Sequence, residues 1–502
     1  MKSLVKMGLA GLFAFGLAQA AVNFPYPQST NYGGNGIVLS NQVEAATQLK
    51  AAFEYYLRDK YKENEKYAAI EKDHGSNTFV SEGIGYGMLM MVYFSDNTTS
   101  YQTQFDKLWA FYKAGVNEHG LMNWSFGGLN PSNNKANAAT DAEMDVAAAL
   151  IMASYQFGDE KYLTEARTLL KNVKQYEFEE NGLHKPGDAW NDKKNPSYIA
   201  PAYYRLFAKV DTENATFWNT TAMDANYALL EANSAEYSTG LFDNWSDSKG
   251  KGLDGNYGYD AARTPWRLAQ DFYWFDESKA KTMLDKLGTW VSSKAAKDIR
   301  GNINRNGSVE NWAAHNSTFV ATLMTSLVTD ASRQGKLDEF WSEAVSLGEE
   351  AYFEQSLKIL CGLLVSGNMP NFMDPPAPQS SSSAVESSSS AVNPPQSSSS
   401  VVPPQSSSSV VGPEQSSSST IALHVGRAAA PAVALHGRTL EIAGSEIARI
   451  DLFSVSGAAV GTLWEGKAGG SVKVSLEGIP SGLYVVKAKV LGETIVRKIN
   501  VR

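Results

Sequence analysis

The sequence predicts an all-α N-terminal domain joined through a Ser/Pro-rich linker to a small antiparallel β-sandwich. Three observations carry that prediction. From about residue 41 to residue 366, apolar side chains recur at three- and four-residue steps and strand-like alternation is scarce. Asp374 to Thr420 is then built of Pro-Pro and Ser-Ser-Ser-Ser blocks, with too little apolar surface to offset chain entropy. Beyond it, Ile447 to Phe453, Val472 to Leu476 and Leu483 to Val490 alternate with period two, separated by turns such as Ser456-Gly457 and Pro480-Ser481-Gly482.

Met1 to Ala20 carries Lys2 and Lys6, an apolar stretch from Met7 to Leu17 and the small-x-small run Ala18-Gln19-Ala20, which reads as a secretory signal peptide. The apolar core is too short to span a bilayer, and no later stretch reaches about 18 uncharged apolar residues. The expected organisation is therefore a signal peptide (1–20), a helical domain (21–373), a linker (374–420) and a β-domain (421–502), secreted to the cell surface or beyond. Cys361 is the single cysteine, so no intrachain disulfide staples the exported chain. A formal net charge of −9 argues against nucleic acid and anionic membranes as partners.

Within the helical domain, Val43, Ala46, Leu49, Phe53 and Leu57 form a helical stripe after Ser40-Asn41, a plausible cap. The pattern repeats at 41–59, 81–93, 101–114, 141–156, 160–173, 201–209, 216–234, 260–274, 277–294, 316–328, 338–347 and 351–366. Twelve helices in pairs suit an α-solenoid or a closed double ring. The absence of a fixed-period repeat favours the ring.

Ser81-Glu82-Gly83-Ile84-Gly85-Tyr86-Gly87-Met88 places one carboxylate among alternating glycines ahead of an apolar run. Glycines permit close approach of backbone or ligand, and a carboxyl in apolar surroundings stays protonated nearer neutral pH, as a general acid requires. A tight helix crossing is the structural alternative. Asp141, in Ala139-Thr140-Asp141-Ala142-Glu143-Met144-Asp145, and Asp260, in Tyr259-Asp260-Ala261-Ala262-Arg263-Thr264-Pro265-Trp266-Arg267, stand at two further helix starts. Capping and, for Asp260, pairing with Arg263 three residues on would also explain them. Trp124, Trp190 and Tyr198 lie in polar, Gly- or Pro-containing loops, where flat rings suit sugar faces.

Other chemistries find little support. The six histidines, at 74, 119, 184, 315, 424 and 436, offer no i,i+4 pair and no cysteine partner, so no metal site is expected. Met88 stands where a dinucleotide loop needs glycine, and neither a Walker A sequence nor a Gly-x-Ser-x-Gly elbow occurs. Asp243 to Asp254 is acidic but departs from the EF-hand ligand order.

Taken together, the Ser81–Met88, Ala139–Ala147, Asn195-Pro196-Ser197-Tyr198 and Tyr259–Arg267 motifs, in this order and over roughly residues 22 to 370, resemble glycoside hydrolase family 8. The resemblance implies an (α/α)6 barrel, inverting hydrolysis of a β-1,4-linked polysaccharide and no cofactor. It also implies Glu82 as general acid, Asp260 as general base and Asp141 as the acid holding the distorted sugar. Tyr198 would stand beside the attacking water and Arg263 would orient the base. Trp124, Trp190 and Tyr352 would contact substrate, with Gln355 where some members carry an aromatic ring. The Thr264-Pro265-Trp266-Arg267 and Ala142-Glu143-Met144-Asp145 continuations look more like the family's endoglucanases than its xylanases, which leaves xylan as the second substrate. Asp451–Gly457, Ile479–Val486 and Lys498–Arg502 resemble the sorting domains of type IX secretion substrates, which implies the secretion machinery as a partner.

Overall fold

The computed structural model describes residues 22–131, 137–309, 313–375, 432–436, 438–454, 459–490 and 493–501. The expected signal peptide and the linker from residue 376 onward lie outside the described residues, as does the start of the β-domain. The chain divides into two compact units, Met1–Ser387 and Ser388–Arg502.

The first unit contains, among the described residues, twelve α-helices: α1 (Gln42–Asp59), α2 (Ser81–Phe94), α3 (Gln102–Ala114), α4 (Thr140–Phe157), α5 (Lys161–Glu177), α6 (Pro201–Val210), α7 (Met223–Ala235), α8 (Thr264–Phe275), α9 (Ser278–Ser292), α10 (Ser317–Met324), α11 (Gln334–Ser346) and α12 (Tyr352–Val365). Short antiparallel ribbons decorate them: β1 (Tyr61–Glu63) with β2 (Ala68–Ile70), β3 (Thr78–Val80) with β4 (Ser125–Gly127), and β5 (Asn256–Tyr257) with β6 (Ile303–Asn304).

The packing order is circular. Helix α2 packs on α4, α4 on α6, α6 on α8, α8 on α10, α10 on α12, and α12 returns to α2. Each member of this inner ring is backed by an odd-numbered helix: α3 on α2, α5 on α4, α7 on α6, α9 on α8, α11 on α10 and α1 on α12. The sequence difference between the two sets follows from where they sit. Helix α4 is buried along nearly its whole length, and after the three acids of its first two turns the residues from Val146 to Ser154 are small or apolar around the full turn. Helix α5 buries one stripe, Tyr162, Ala166, Leu169, Leu170 and Val173, and keeps charge on its other face.

Several element boundaries differ from expectation. Asn41 does cap α1, accepting the N–H of Glu44 at 3.1 Å, but Val43 is 78% exposed and the buried stripe is Ala45, Ala46, Leu49, Phe53 and Tyr56. Residues 217–222 form a π-helical turn leading into α7. Helix α10 stops at Met324 and passes into the 3-10 turn Thr325–Leu327. Helix α8 starts at Thr264 rather than at residue 260, because Asn244 Oδ1 accepts the N–H groups of Gly258 (2.8 Å) and Ala261 (3.2 Å) and holds the preceding segment as a turn.

The glycines of α2 serve close packing. A Cβ on Gly85 would stand 2.7 Å from Asp145 Cβ on α4, and one on Gly87 would meet Ile70 and Leu108 at 3.0–3.1 Å. The tight crossing weighed as the structural alternative is thus real, and it brings the first turns of α2 and α4 side by side.

The second unit contains β7 (Ala432–His436), β8 (Thr439–Ser454), β9 (Ala459–Ser475), β10 (Gly482–Val490) and β11 (Glu493–Val501), all antiparallel. Strand β8 pairs along one edge with β7 and then β10, and along the other with β9. Leu440, Ile442, Ile450, Leu452, Val472, Val486 and Ala488 form its buried cluster.

Candidate active site

Glu82 occupies the first turn of α2. No side chain caps that turn; instead the Ser81 N–H donates to the Trp124 carbonyl at 2.9 Å. Because Trp124 directly precedes β4, which pairs with the β3 strand leading into α2, one ribbon positions both the carboxylate and the ring. The Trp124 side chain is 49% exposed. Glu82 is half-buried: Tyr352 Oη donates to its Oε1 at 2.8 Å and Arg263 Nη1 to its Oε2 at 2.5 Å.

Asp141 lies in the first turn of α4 and, like Thr140, does not cap it. Thr140 Oγ1 donates to the Lys185 carbonyl at 2.6 Å, and Asp141 Oδ2 accepts from the same Arg263 Nη1 that reaches Glu82. Its Oδ1 has no hydrogen-bond partner among the described residues. Four residues along α4, Asp145 forms a bidentate pair with Arg267 at 2.7 Å and 2.7 Å, both side chains fully enclosed. Glu143, also buried, accepts from Tyr112 Oη and from the Met122 N–H at 2.8 Å, which ties the Trp124 loop to α4.

Asp260 sits on the exposed turn before α8. The expected pairing with Arg263 is absent: the hydrogen bonds of Arg263 go to Glu82, Tyr86 and Asp141, whereas Asp260 Oδ2 accepts from Trp245 Nε1 at 3.0 Å. The guanidinium points into the ring because α8 begins there, and it covers the Tyr198 ring at 5.1 Å from the centroid. Tyr198 is presented by the 3-10 turn Pro196–Tyr198, whose Asn195 side chain accepts the Ser197 N–H at 2.8 Å.

A cavity of about 450 Å³ joins these groups. Glu82, Asp141, Asp260, Trp124, Tyr198, Arg263 and Tyr352 all line it. Trp190 does not; its ring packs on Trp245, 5.6 Å between centroids, one layer behind Asp260. Gln355 is buried away from the cavity, bonded to the Ala52 carbonyl at 3.2 Å and to the Glu350 N–H at 3.3 Å. Phe353, Tyr259 and Lys72 line the cavity unforeseen. Phe353 and Tyr259 were legible only as aromatic neighbours of Tyr352 and Asp260. Lys72 carried no signal, being one lysine in a polar turn.

The electrostatics separate the acids. Burial pushes the Glu82 carboxyl up to about 7; the Arg263 charge opposes this and the Asp141 charge adds to it. Asp141 is also raised by burial, against the same Arg263. Burial lifts Glu143 to about 8 and Glu177, whose two oxygens lack partners among the described residues, well above the usual range. Burial thus favours the protonated form of both acids, which lessens the negative charge behind Asp141. One guanidinium between two carboxyls therefore favours a state with one proton shared in the cluster. Chemically, the cavity combines a carboxyl whose protonated form burial favours, a second acid beside a fixed cation, an exposed acid on the same wall, and aromatic faces at its rim. Among the described residues no group of His, Cys, Asp and Glu is arranged to hold a metal ion.

The chain is 32% identical to Endoglucanase 2 of Ruminiclostridium josui over 74% of its length and 83% of the relative's. It is 32% identical to Endoglucanase A of Acetivibrio thermocellus over 70% and 76%, respectively. The solved apo structure of the β-1,3-1,4-glucanase from Paenibacillus sp. X4 superposes with a TM-score of 0.63 at 25% identity, covering 69% of this chain and 98% of that one. Residues 33–367 match the glycosyl hydrolases family 8, and with that span containing every acid of the cavity, the chain belongs to this family and is a glycoside hydrolase.

Proposed function

We propose that the protein is a secreted, endo-acting, inverting glycosidase that cleaves β-1,4 linkages of cellulose-type or mixed-linkage β-glucan, on an (α/α)6 double ring. Glu82 protonates the leaving oxygen, Asp260 deprotonates the attacking water, and Asp141, beside Arg263, holds the distorted sugar. The observation that carries this reading is the single cavity lined by Glu82, Asp141 and Asp260, from three distant parts of the chain, with Trp124 exposed at its rim. Trp124, Tyr198 and Tyr352 contact the sugar chain. Release of reducing ends from carboxymethylcellulose, lichenan or xylan tests it, and no release from any of them would leave only a glycan-binding protein.

A carboxyl with a raised pKa acts as an acid only while protonated. With Glu82 at about 7, kcat/KM is expected to fall about tenfold per unit above that pH and, because Asp260 must be ionised to act as base, to fall again in acid, giving a bell-shaped profile. An unchanged rate at pH 9 would remove Glu82 from the role.

Substrate choice rests on the motif continuations and on the glucan-named relatives. Side-by-side kcat/KM is expected to favour carboxymethylcellulose or lichenan over xylan. The margin is modest, since one hydroxymethyl group in a pocket is worth about 1–3 kcal/mol. A xylan preference would make the chain a xylanase of the same mechanism.

The C-terminal unit is read as a sorting or anchoring domain. A chain ending at Met373 is expected to fold and to keep full activity on soluble substrate while losing its surface or extracellular delivery. Equal delivery with and without residues 374–502 would end the sorting role.

A further inference from the structure

The segment from Asp243 to Tyr259 is held far more firmly than a surface connection needs. Asp243 is fully buried, and its carboxylate accepts the N–H groups of Trp245 (3.3 Å), Asp254 (3.1 Å) and Gly255 (2.7 Å). Arg305, 1% exposed, pairs with Asp243 at 3.4 Å and with Glu236, and donates to the Leu241 carbonyl at 2.8 Å. A Cβ at Gly252 would fall 2.4 Å from both Arg305 Nη1 and Asp243 Oδ2, so the loop is drawn tight over this pair. Asn244 then ties it to the Asp260 turn through the N–H groups of Gly258 and Ala261. Between these two clamps lies Trp245. Its ring meets Trp190 on one side, the Lys193 ammonium stands 3.8 Å from its centroid, and its Nε1–H donates to Asp260 Oδ2 at 3.0 Å.

We propose that Trp245 is a positioning residue for Asp260: its indole N–H fixes the carboxylate through Oδ2 and leaves Oδ1 to take the proton of the attacking water. This rests on the reading of Asp260 as general base. Two features suit the indole to the task. It is a donor only, so it cannot compete for the proton and does not titrate. It is also braced by Trp190 and Lys193, so an otherwise exposed carboxylate is oriented by a ring that is itself packed on two sides. In this arrangement Trp190 acts through Trp245 and Asp260 rather than from the cavity wall.

Trp245→Phe keeps an aromatic face toward Trp190 and Lys193, though a smaller one, while removing the N–H. It is expected to lower kcat on soluble β-glucan by about ten- to a hundredfold, with KM changed less than about twofold. In a Glu82→Gln background, the affinity for a cello-oligosaccharide measured by calorimetry is expected to stay within the same twofold. A kcat near wild type, or a loss seen in KM and affinity instead, would make Trp245 a sugar platform and overturn the proposal. Asp260→Asn separates the two claims. If it retains activity, the base assignment fails; if it is inactive while Trp245→Phe is fully active, only the positioning role fails. Should Trp245→Phe not fold, ¹⁵N-indole spectra of the full chain decide the matter. One of the eleven tryptophan N–H resonances is expected to move on Asp260→Asn, and if none moves the hydrogen bond is not there.

Discussion

Glu82→Gln and Asp260→Asn are each expected to lower kcat on soluble β-glucan by about 10²- to 10⁴-fold while changing KM little. That is the range lost when a positioned acid or base is removed and shape is kept. The amide at position 82 can turn its oxygen to accept from Arg263 and its NH2 to donate to the Tyr352 hydroxyl, and Arg263 retains Asp141, so binding geometry survives where proton transfer does not. The two variants fail at opposite faces of the sugar. Glu82→Gln is expected to recover on substrates with a good leaving group, which need no protonation, whereas Asp260→Asn is not. Proton NMR of the first products is expected to show the α-anomer, because water enters opposite the departing β-linked sugar. A β-anomer would make the enzyme retaining and end the assignment of Asp260 as the base of a single displacement.

The largest loss of stability is expected from the Asp145–Arg267 pair behind the site. Both side chains are fully enclosed, and Arg267 also lies 4.1 Å from the Trp266 ring centroid. Arg267→Met leaves a buried carboxylate without its cation, which costs about 3–5 kcal/mol. In a domain of this size that corresponds to a fall in melting temperature on the order of 10 °C. The exposed pair Arg58–Glu349, with side chains 68% and 64% open to solvent, is the internal control. Arg58→Met should shift the midpoint by less than about 1 kcal/mol. Urea midpoints for the two variants check both statements. Equal shifts would show that burial does not set the difference.

Much of the helical domain was legible because each helix announces itself locally. The run Val146–Ala153 of α4, apolar on every side, and the one-sided α5 differ in sequence because one is enclosed by the ring and the other faces water. The three acids were legible because each stands in its own short motif, Glu82 and Asp141 in the first turns of α2 and α4 and Asp260 in the turn that precedes α8. Capping, the competing explanation for Asp141, was eliminated only by seeing Thr140 bonded to Lys185 and Asp141 to Arg263. Val43 misled for the opposite reason: its spacing fits the stripe of α1, but the stripe that is buried turns toward Ala45 and Tyr56.

Partner choice was not legible. Spacing suggested that Arg263 serves Asp260 three residues away, yet its partners are Glu82 and Asp141, 181 and 122 residues distant in the chain. The acidic run at Asp243 likewise gave no hint of Arg305, which lies 62 residues on and makes the run into a clamp. Trp190 read as a cleft ring because of its polar neighbours, and the fold set it behind Trp245 instead. The sequence by itself determined which segments become helices and which short motifs carry the acids, since hydrophobic periodicity and motif order act along the chain. Only the tertiary structure decided which charges share a guanidinium and which indole meets the base. Those contacts join residues that are far apart in the chain, and they exist only once the ring closes and brings the starts of α2, α4 and α8 to one rim.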